Sequence, residues 1–335
     1  MARYLRIAKR AAAVLGMLIL VLCCAGAMYQ GISTARDKSK FPPPGRRIPV
    51  EGRFMHVVGR GHGAPTVVFD SVIGASSLGW VFVQPEVAKV TSTFAYDRAG
   101  YGWSDPGVTP RTTRQLVAEL HAVLSASGTP GPYILVGASF GGCIARLYTF
   151  QYPSDVAALV LVDPAHEDQT ARMPESTQPP MVTFRLFQAA SRLGVLRLAN
   201  LPVDIAGMNV LPETAQQQAA AVGFRTDAVD AIVSETAVVE QSFAEVRKAR
   251  ATMGATPLGD RPLIVLTHKE DRVLHGDEAV AYDVWVKLHK ELAAESTHGR
   301  QVFVEHSGHF IGVNQPGSVI DAIQTVVEDV RAMRP

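Results

Sequence analysis

Tyr133-Ile134-Leu135-Val136-Gly137-Ala138-Ser139-Phe140-Gly141-Gly142 is the stretch that most narrows what this chain can fold into. Its first half is apolar and β-branched, of a length that suits a strand buried on both faces. Cys143-Ile144-Ala145-Arg146-Leu147-Tyr148 beyond it has helical spacing. The serine falls on the turn between the two. Gly137 and Gly141 let backbone and helix approach closely around a residue held in a strained conformation, which lifts its hydroxyl clear of the sheet. The helix N-terminus behind it favours negative charge, which suits an oxyanion forming on a bound carbonyl. The five-residue Gly-x-Ser-x-Gly pattern alone arises by chance in roughly one chain in ten of this length. The strand before it and the helix after it single out Ser139 as a candidate nucleophile.

Strand and helix patterns alternate on either side. Arg47–Val50 and Phe54–Val58 read as a hairpin turned by Glu51-Gly52, and His62, in the loose turn that follows, as a solvent-facing residue. Thr66-Val67-Val68-Phe69 is a buried strand running into Asp70-Ser71-Val72. Thr93-Phe94-Ala95-Tyr96 is another, running into the loop Asp97–Ser104. A helix over about 112–126 precedes the serine strand, and Ala158–Val162 is the next strand, ended by Asp163. From Pro164 to about Asp260 the alternation stops, and helical patterns near 183–199, 213–223 and 227–250 read as an insertion covering the site. Strand patterns return at Pro262–Leu266, followed by Thr267-His268-Lys269-Glu270-Asp271. They return again at Gln301–Val304, followed by Glu305-His306-Ser307-Gly308-His309. Helices near 277–294 and 316–331 complete an α/β fold: a mostly parallel central sheet with helices on both faces, plus a helical cap insertion.

At 335 residues, 47% hydrophobic and 19% charged, the chain can bury a large core. Its net charge of +1 is unevenly spread: residues 1–47 hold nine Lys and Arg against Asp37 alone, leaving 23 basic and 30 acidic residues beyond. A net negative globular part gives no electrostatic reason to expect a nucleic-acid partner. Arg3, Arg6, Lys9 and Arg10 precede an uncharged apolar stretch, Ala11–Met28, that suits either a signal peptide or a transmembrane anchor. Ala25-Gly26-Ala27 offers a cleavage site, whereas the lack of a clear polar region after the apolar stretch favours retention. Leu22 stands where a lipoprotein site before Cys23 and Cys24 would want a small residue. The reading taken is a retained anchor with a cytoplasmic N-terminus and an extracytoplasmic domain, the alternative being secretion after cleavage. Arg36, Lys38 and Lys40 beyond the span argue against that orientation. Phe41-Pro42-Pro43-Pro44-Gly45 then reads as a stiff spacer. The division that results is a signal anchor or signal peptide (1–28), a Pro-rich linker (29–47), a first core segment (48–163), a helical cap (164–260) and a second core segment (261–335). Cys143 is alone in the globular part, so no disulfide forms within it. No phosphate loop or zinc-site spacing is present, and no cofactor or metal is expected.

A serine hydroxyl needs a base to take its proton, and the base needs a third group to fix its tautomer. His309 and Asp271 both lie just past predicted strands, as Ser139 does, and are read as base and orienting acid. Asp163, which also ends a strand near Ser139, and Glu270 remain alternatives for the acid, and His306 is the rival base with a structural role.

These residues carry a resemblance. The order Ser139, Asp271, His309, the elbow Gly137–Gly141, the loop Asp97–Ser104 and the ending Gly308-His309-Phe310 resemble the α/β-hydrolase superfamily over about residues 48–333, outside the insertion. The resemblance implies an oxyanion hole from the backbone N–H groups of Phe140 and Val72. It also implies that the Asp97–Ser104 loop buttresses the elbow, with Tyr101 or Trp103 near the pocket. Two departures are visible: Asp70-Ser71 stands where many relatives have His-Gly, and Ala138 where many have His. Epoxide hydrolases and haloalkane dehalogenases of this fold use Asp as nucleophile, against which Ser139 argues. The function expected is a cofactor-free serine hydrolase acting on an uncharged or hydrophobic small-molecule ester, thioester or amide. The alternatives are a prolyl aminopeptidase-like enzyme, with Glu235 or Glu240 holding the substrate amine, a perhydrolase on the same triad, and a membrane-tethered binding module without catalysis.

Overall fold

The computed structural model describes residues 1–199 and 210–333. It opens with helix α1 (Ala2–Lys40), followed by strands β1 (Arg46–Val50), β2 (Arg53–Arg60) and β3 (Thr66–Asp70). The short helix α2 (Gln84–Val87), β4 (Thr93–Tyr96), α3 (Thr113–Ser127), β5 (Tyr133–Ala138), α4 (Phe140–Gln151) and β6 (Val156–Val162) come next. The insertion holds α5 (Gln169–Arg172), α6 (Met181–Arg192), α7 (Val195–Leu198), α8 (Glu213–Gly223), α9 (Thr226–Ala237) and α10 (Val239–Arg250), and its residues 200–209 lie outside the described residues. The chain ends in β7 (Leu263–His268), α11 (Gly276–Ala293), β8 (Gly299–Val304), α12 (Ile311–Asn314) and α13 (Pro316–Ala332).

The eight strands form one sheet in the order β1-β2-β4-β3-β5-β6-β7-β8. The β1–β2 and β2–β4 pairs are antiparallel, and every other pair is parallel. Strand residues alternate between two cores, as the two-residue period of a strand requires. Tyr133, Leu135, Leu159 and Leu161 join the core that also contains Leu116, Phe140 and Leu292. Ile134, Val136, Val160 and Val162 join the core built with Trp80 and Val319 to Val330. Register brings the carboxyl ends level: Asp70 pairs with Gly137, Ala138 with Val162, Val162 with Leu266, and His268 with Val304. The residues after β3, β5, β6 and β8 therefore open on one edge, where ligands of such sheets bind.

Two segments differ from expectation. The helix expected over 227–250 breaks at Val238 into α9 and α10. Val229 and Val233 of α9 pack within the insertion, whereas Phe243 and Val246 of α10 belong to the main core, and one straight helix could not serve both layers. The linker expected from residue 29 is helical to Lys40, because one face of α1 has partners on the insertion. Gln30 Nε2 donates to the Phe224 carbonyl at 2.6 Å, and Arg197 pairs with Asp37. Three prolines after Phe41 end the helix, and Trp103 Nε1 donates to the Phe41 carbonyl at 2.9 Å.

Candidate active site

Ser139 stands between the last residue of β5 and the first of α4, with φ 50° and ψ −120°. A non-glycine residue rarely adopts this region, and here it is held from several sides. The Ser139 N–H donates to the Val162 carbonyl at 3.1 Å, and its own carbonyl accepts from the N–H groups of Gly142 and Ala165, each at 2.9 Å. The flanking glycines are required by contact. A Cβ on Gly137 would lie 2.4 Å from the Gly141 carbonyl oxygen, and one on Gly141 would lie 2.8 Å from that of Asp70. Elbow, the loop after β3 and the end of β6 are thus locked together by backbone alone. Among the described residues the Ser139 hydroxyl has no hydrogen-bond partner.

His309 is half-buried in the loop after β8, and its Nδ1 lies 2.6 Å from Asp163 Oδ2. Asp163 is fully buried at the residue after β6, with φ 45°. Its Oδ1 accepts from the His268 N–H at 3.0 Å and from Trp285 Nε1 at 3.1 Å, and its Oδ2 also faces His268 Nδ1 at 2.8 Å. Burial would raise the pKa of this carboxyl, but the hydrogen bonds of His268 and His309 outweigh it and hold the group well below the usual range. Asp163 is therefore ionised at neutral pH, and His309 must present Nδ1–H to it, leaving Nε2 free to accept a proton.

The acid read from sequence, Asp271, is not at this position. It sits three residues beyond β7 and pairs with His306 Nδ1 at 3.0 Å, both side chains well exposed at 49% and 77%. An exposed pair of this kind is worth little. Strand β7 ends without placing an acid beside His309, whereas Asp163 follows β6 directly and its left-handed backbone carries the carboxylate toward the β7 and β8 loops. Glu270 is also turned away, onto Arg272.

The loop after β3 is held by Arg98, whose guanidinium donates to Asp70 Oδ1 at 2.7 Å, to the Ser71 carbonyl at 2.8 Å and to the Val72 carbonyl at 2.9 Å. With its carbonyl engaged, Val72 has an N–H that no described residue accepts. Phe140, as the first residue of α4, likewise has no intrahelical acceptor. Arg98 also reaches Glu235 of α9 at 3.1 Å, and Glu235 takes Arg111 at 3.2 Å and the Tyr101 hydroxyl at 2.9 Å. Glu235 is thus wholly committed to ties between insertion and core and has no carboxylate to offer a substrate amine. Glu235→Gln is expected to lower the unfolding free energy by about 3 to 5 kcal/mol, as loss of one charge from a buried network does. Urea titration measures it, and an unchanged midpoint would contradict the assignment.

Residues 62–316 match the family model for the alpha/beta hydrolase fold, three quarters of the chain. The chain belongs to the alpha/beta hydrolase fold family. Among curated relatives, YqjL of Bacillus subtilis (strain 168) is 34% identical over 120 residues, covering 36% of this chain and 47% of YqjL. The chain spans about half the length, or less, of the first curated relatives it matches. The crystal structure of DBJA superposes with a TM-score of 0.66 at 17% identity over 87% of this chain and 100% of that one. A thermophilic esterase from Thermogutta terrifontis superposes with 0.60 at 18% identity over 85% and 98%. At such identities the likeness is one of fold.

Within this family fold, Val72, Ala138, His309 and the apolar residues Trp80, Ile311 and Val313 line a narrow cavity of about 30 Å³. Neither Tyr101 nor Trp103 lines it: Tyr101 is spent on Glu235, and Trp103 lies under α1. The 97–104 loop braces its surroundings through Asp97, which accepts from the N–H groups of Ser77 and Trp103 and pairs with His56 Nδ1 at 2.7 Å.

Reading the sequence missed His268, Trp285 and His289, which surround Asp163. His268 stands in the stretch after a strand pattern with nothing to mark it, and no local pattern marks the other two. His289 Nε2 donates to the Pro164 carbonyl at 2.9 Å and its Nδ1 accepts from Thr267 Oγ1 at 2.8 Å, a neutral ring. Burial pushes its pKa down to about 4. The unfolded chain takes up this proton near pH 6.5 and the folded chain refuses it until about pH 4, so stability is lost as pH falls between the two, by about 3 kcal/mol. His268 opposes this: burial would lower its pKa, yet Asp163 raises it, so its contribution is present at low pH and lost as pH rises. His289→Gln is expected to flatten the acid-side loss between pH 7 and pH 4.5 by about 2 to 3 kcal/mol, read from urea midpoints at both pH values.

Proposed function

We propose that this chain is a serine hydrolase that cleaves a carboxylic ester, thioester or amide of an uncharged or hydrophobic substrate through an acyl-enzyme. The observation that carries this reading is the 2.6 Å contact of His309 with the buried Asp163, on the sheet edge where Ser139 is held in its strained turn. Ser139 Oγ attacks the substrate carbonyl while His309 Nε2 takes its proton. Asp163 keeps the ring in the Nδ1–H tautomer and stabilises the imidazolium. The N–H groups of Phe140 and Val72 hold the oxyanion, and loss of one such donor costs on the order of a hundredfold in turnover. His309 returns the proton to the leaving group. Water activated by the same ring then attacks the acyl carbon, and Ser139 is regenerated. The Ser139–His309 hydrogen bond that this needs is of the kind that is long in free enzymes and tightens when substrate binds.

Apolar walls and no free charge in the cavity beside His309 support an uncharged acyl group. The chain holds α1 as a retained membrane anchor with the catalytic part outside the cytoplasm, supported by an apolar stretch long enough to cross a bilayer and unburied in the fold. Labelling with a fluorophosphonate probe, followed by mass mapping, tests the catalytic reading: the adduct is expected on Ser139. Absence of adduct on the folded protein, together with no turnover of a graded series of acyl esters, would overturn it.

A further inference from the structure

We propose that the outer face of α6 and α7 lies in the interface of the bilayer that α1 crosses, so that the insertion rests on lipid beside the anchor. This rests on the anchor reading above. On α1, Cys23, Gly26, Gln30, Ser33, Thr34 and Asp37 are the partly or wholly buried positions, a helical stripe that advances by three and four residues with Ser33 and Thr34 side by side. Gly26 meets the turn between α6 and α7: a Cβ there would lie 2.4 Å from the Leu193 carbonyl oxygen. Gly194 answers it with φ 69°, where a Cβ would lie 2.9 Å from Tyr29 Cδ1. Backbone thus meets backbone at Gly26 and Leu193, with the Tyr29 ring against Gly194.

That contact fixes a depth. Gly26 and Cys23 are two and five residues before the end of the apolar stretch at Met28. At 1.5 Å per residue the α6–α7 turn sits roughly 3 to 8 Å inside the end of the span, the depth at which interfacial helices bury their apolar faces. The surface presented there fits lipid. Helix α6 turns Phe184, Phe187 and Ser191 inward and leaves Val182 and Leu186 exposed at 60% and 66%, and α7 leaves Val195 and Leu198 exposed at 45% and 68%. Arg185, exposed on the same helix, supplies a cation suited to headgroup phosphates, whereas Arg192 is paired with Asp230 at 2.9 Å. The apolar surface continues that of α1, where Val14 to Leu22 are exposed throughout.

The test uses the full chain with Cys23 and Cys24 replaced by Ser, Cys143 being buried, reconstituted in vesicles of mixed zwitterionic and anionic phospholipid. An environment-sensitive dye is placed in turn on Leu18→Cys, Leu186→Cys, Leu198→Cys and, as an exposed control on β8, Phe303→Cys. Quenching by nitroxide lipids is expected to be about threefold or more stronger at 186 and 198 than at 303, with iodide quenching in the reverse order. Lipid quenching at 18 but iodide quenching at 186 and 198 would overturn the inference and leave the anchor standing. Lack of lipid quenching at 18 would overturn the anchor itself. Shielding of 186 and 198 from both quenchers would assign the face to a second protein copy and also overturn the inference.

Discussion

Asp163→Asn is expected to lower kcat on the order of 10⁴-fold with little change in KM, while Asp271→Asn leaves kcat within about twofold. The direction follows from who donates to Asp163. The His268 N–H and Trp285 Nε1–H both point at Oδ1, so an asparagine keeps its oxygen there and turns its NH₂ group to the Oδ2 position. His309 Nδ1 then faces a donor and must accept, which puts the ring proton on Nε2, where it blocks removal of the serine proton. Among the described residues the Asp271 side chain pairs with the exposed His306, while His309 pairs with Asp163. Steady-state kinetics on a short-chain ester, with both variants compared, reads the difference. Equal losses in the two variants, or a loss confined to Asp271→Asn, would contradict the geometry.

Ser139→Ala is expected to remove turnover to within background, a loss on the order of 10⁶-fold for a nucleophile acting as one unit with its base. The fold should not notice. The hydroxyl has no partner among the described residues, and alanine meets the same cost at φ 50° that serine already bears, so the thermal midpoint is expected to stay in place, with less than about 0.5 kcal/mol lost. The fluorophosphonate adduct should vanish with the activity. An intact variant that still turned over esters at the parental rate would exclude Ser139 as the nucleophile.

Together the two variants separate the roles. Loss of the nucleophile ends acylation outright, whereas the Asp163 variant keeps Ser139 in place with a base in the wrong tautomer, so slow labelling at Ser139 should persist in Asp163→Asn. The Glu235 network adds a different signature, since it acts through Arg98 on the carbonyl of Val72.

Much of this protein was legible along the chain. Short continuous apolar runs marked the strands, and the elbow marked Ser139, because its pattern depends on neighbours within a few residues. His309 was legible for a similar reason, as a histidine just past the last strand pattern. The acid was not. Asp163 and Asp271 both follow strand patterns, and local sequence carries no information on which strand end faces the base. That choice depends on the pairing of β6 with β5 and β7, and on the backbone at Asp163, both set by the whole sheet. Tertiary contact likewise turned residues 29–40 from an expected linker into helix, since Gln30 and Asp37 are helical only in the sense that the insertion offers them partners. It also consumed Glu235 in buried ion pairs that no spacing rule foretells. Sequence determined the elements, the elbow and the place of His309 just past the last strand, where short-range patterning and turn chemistry are decisive. Structure alone decided that Asp163 meets His309, that α1 docks on the insertion and that Arg98 braces the loop after β3, because each rests on partners between 26 and 194 residues away.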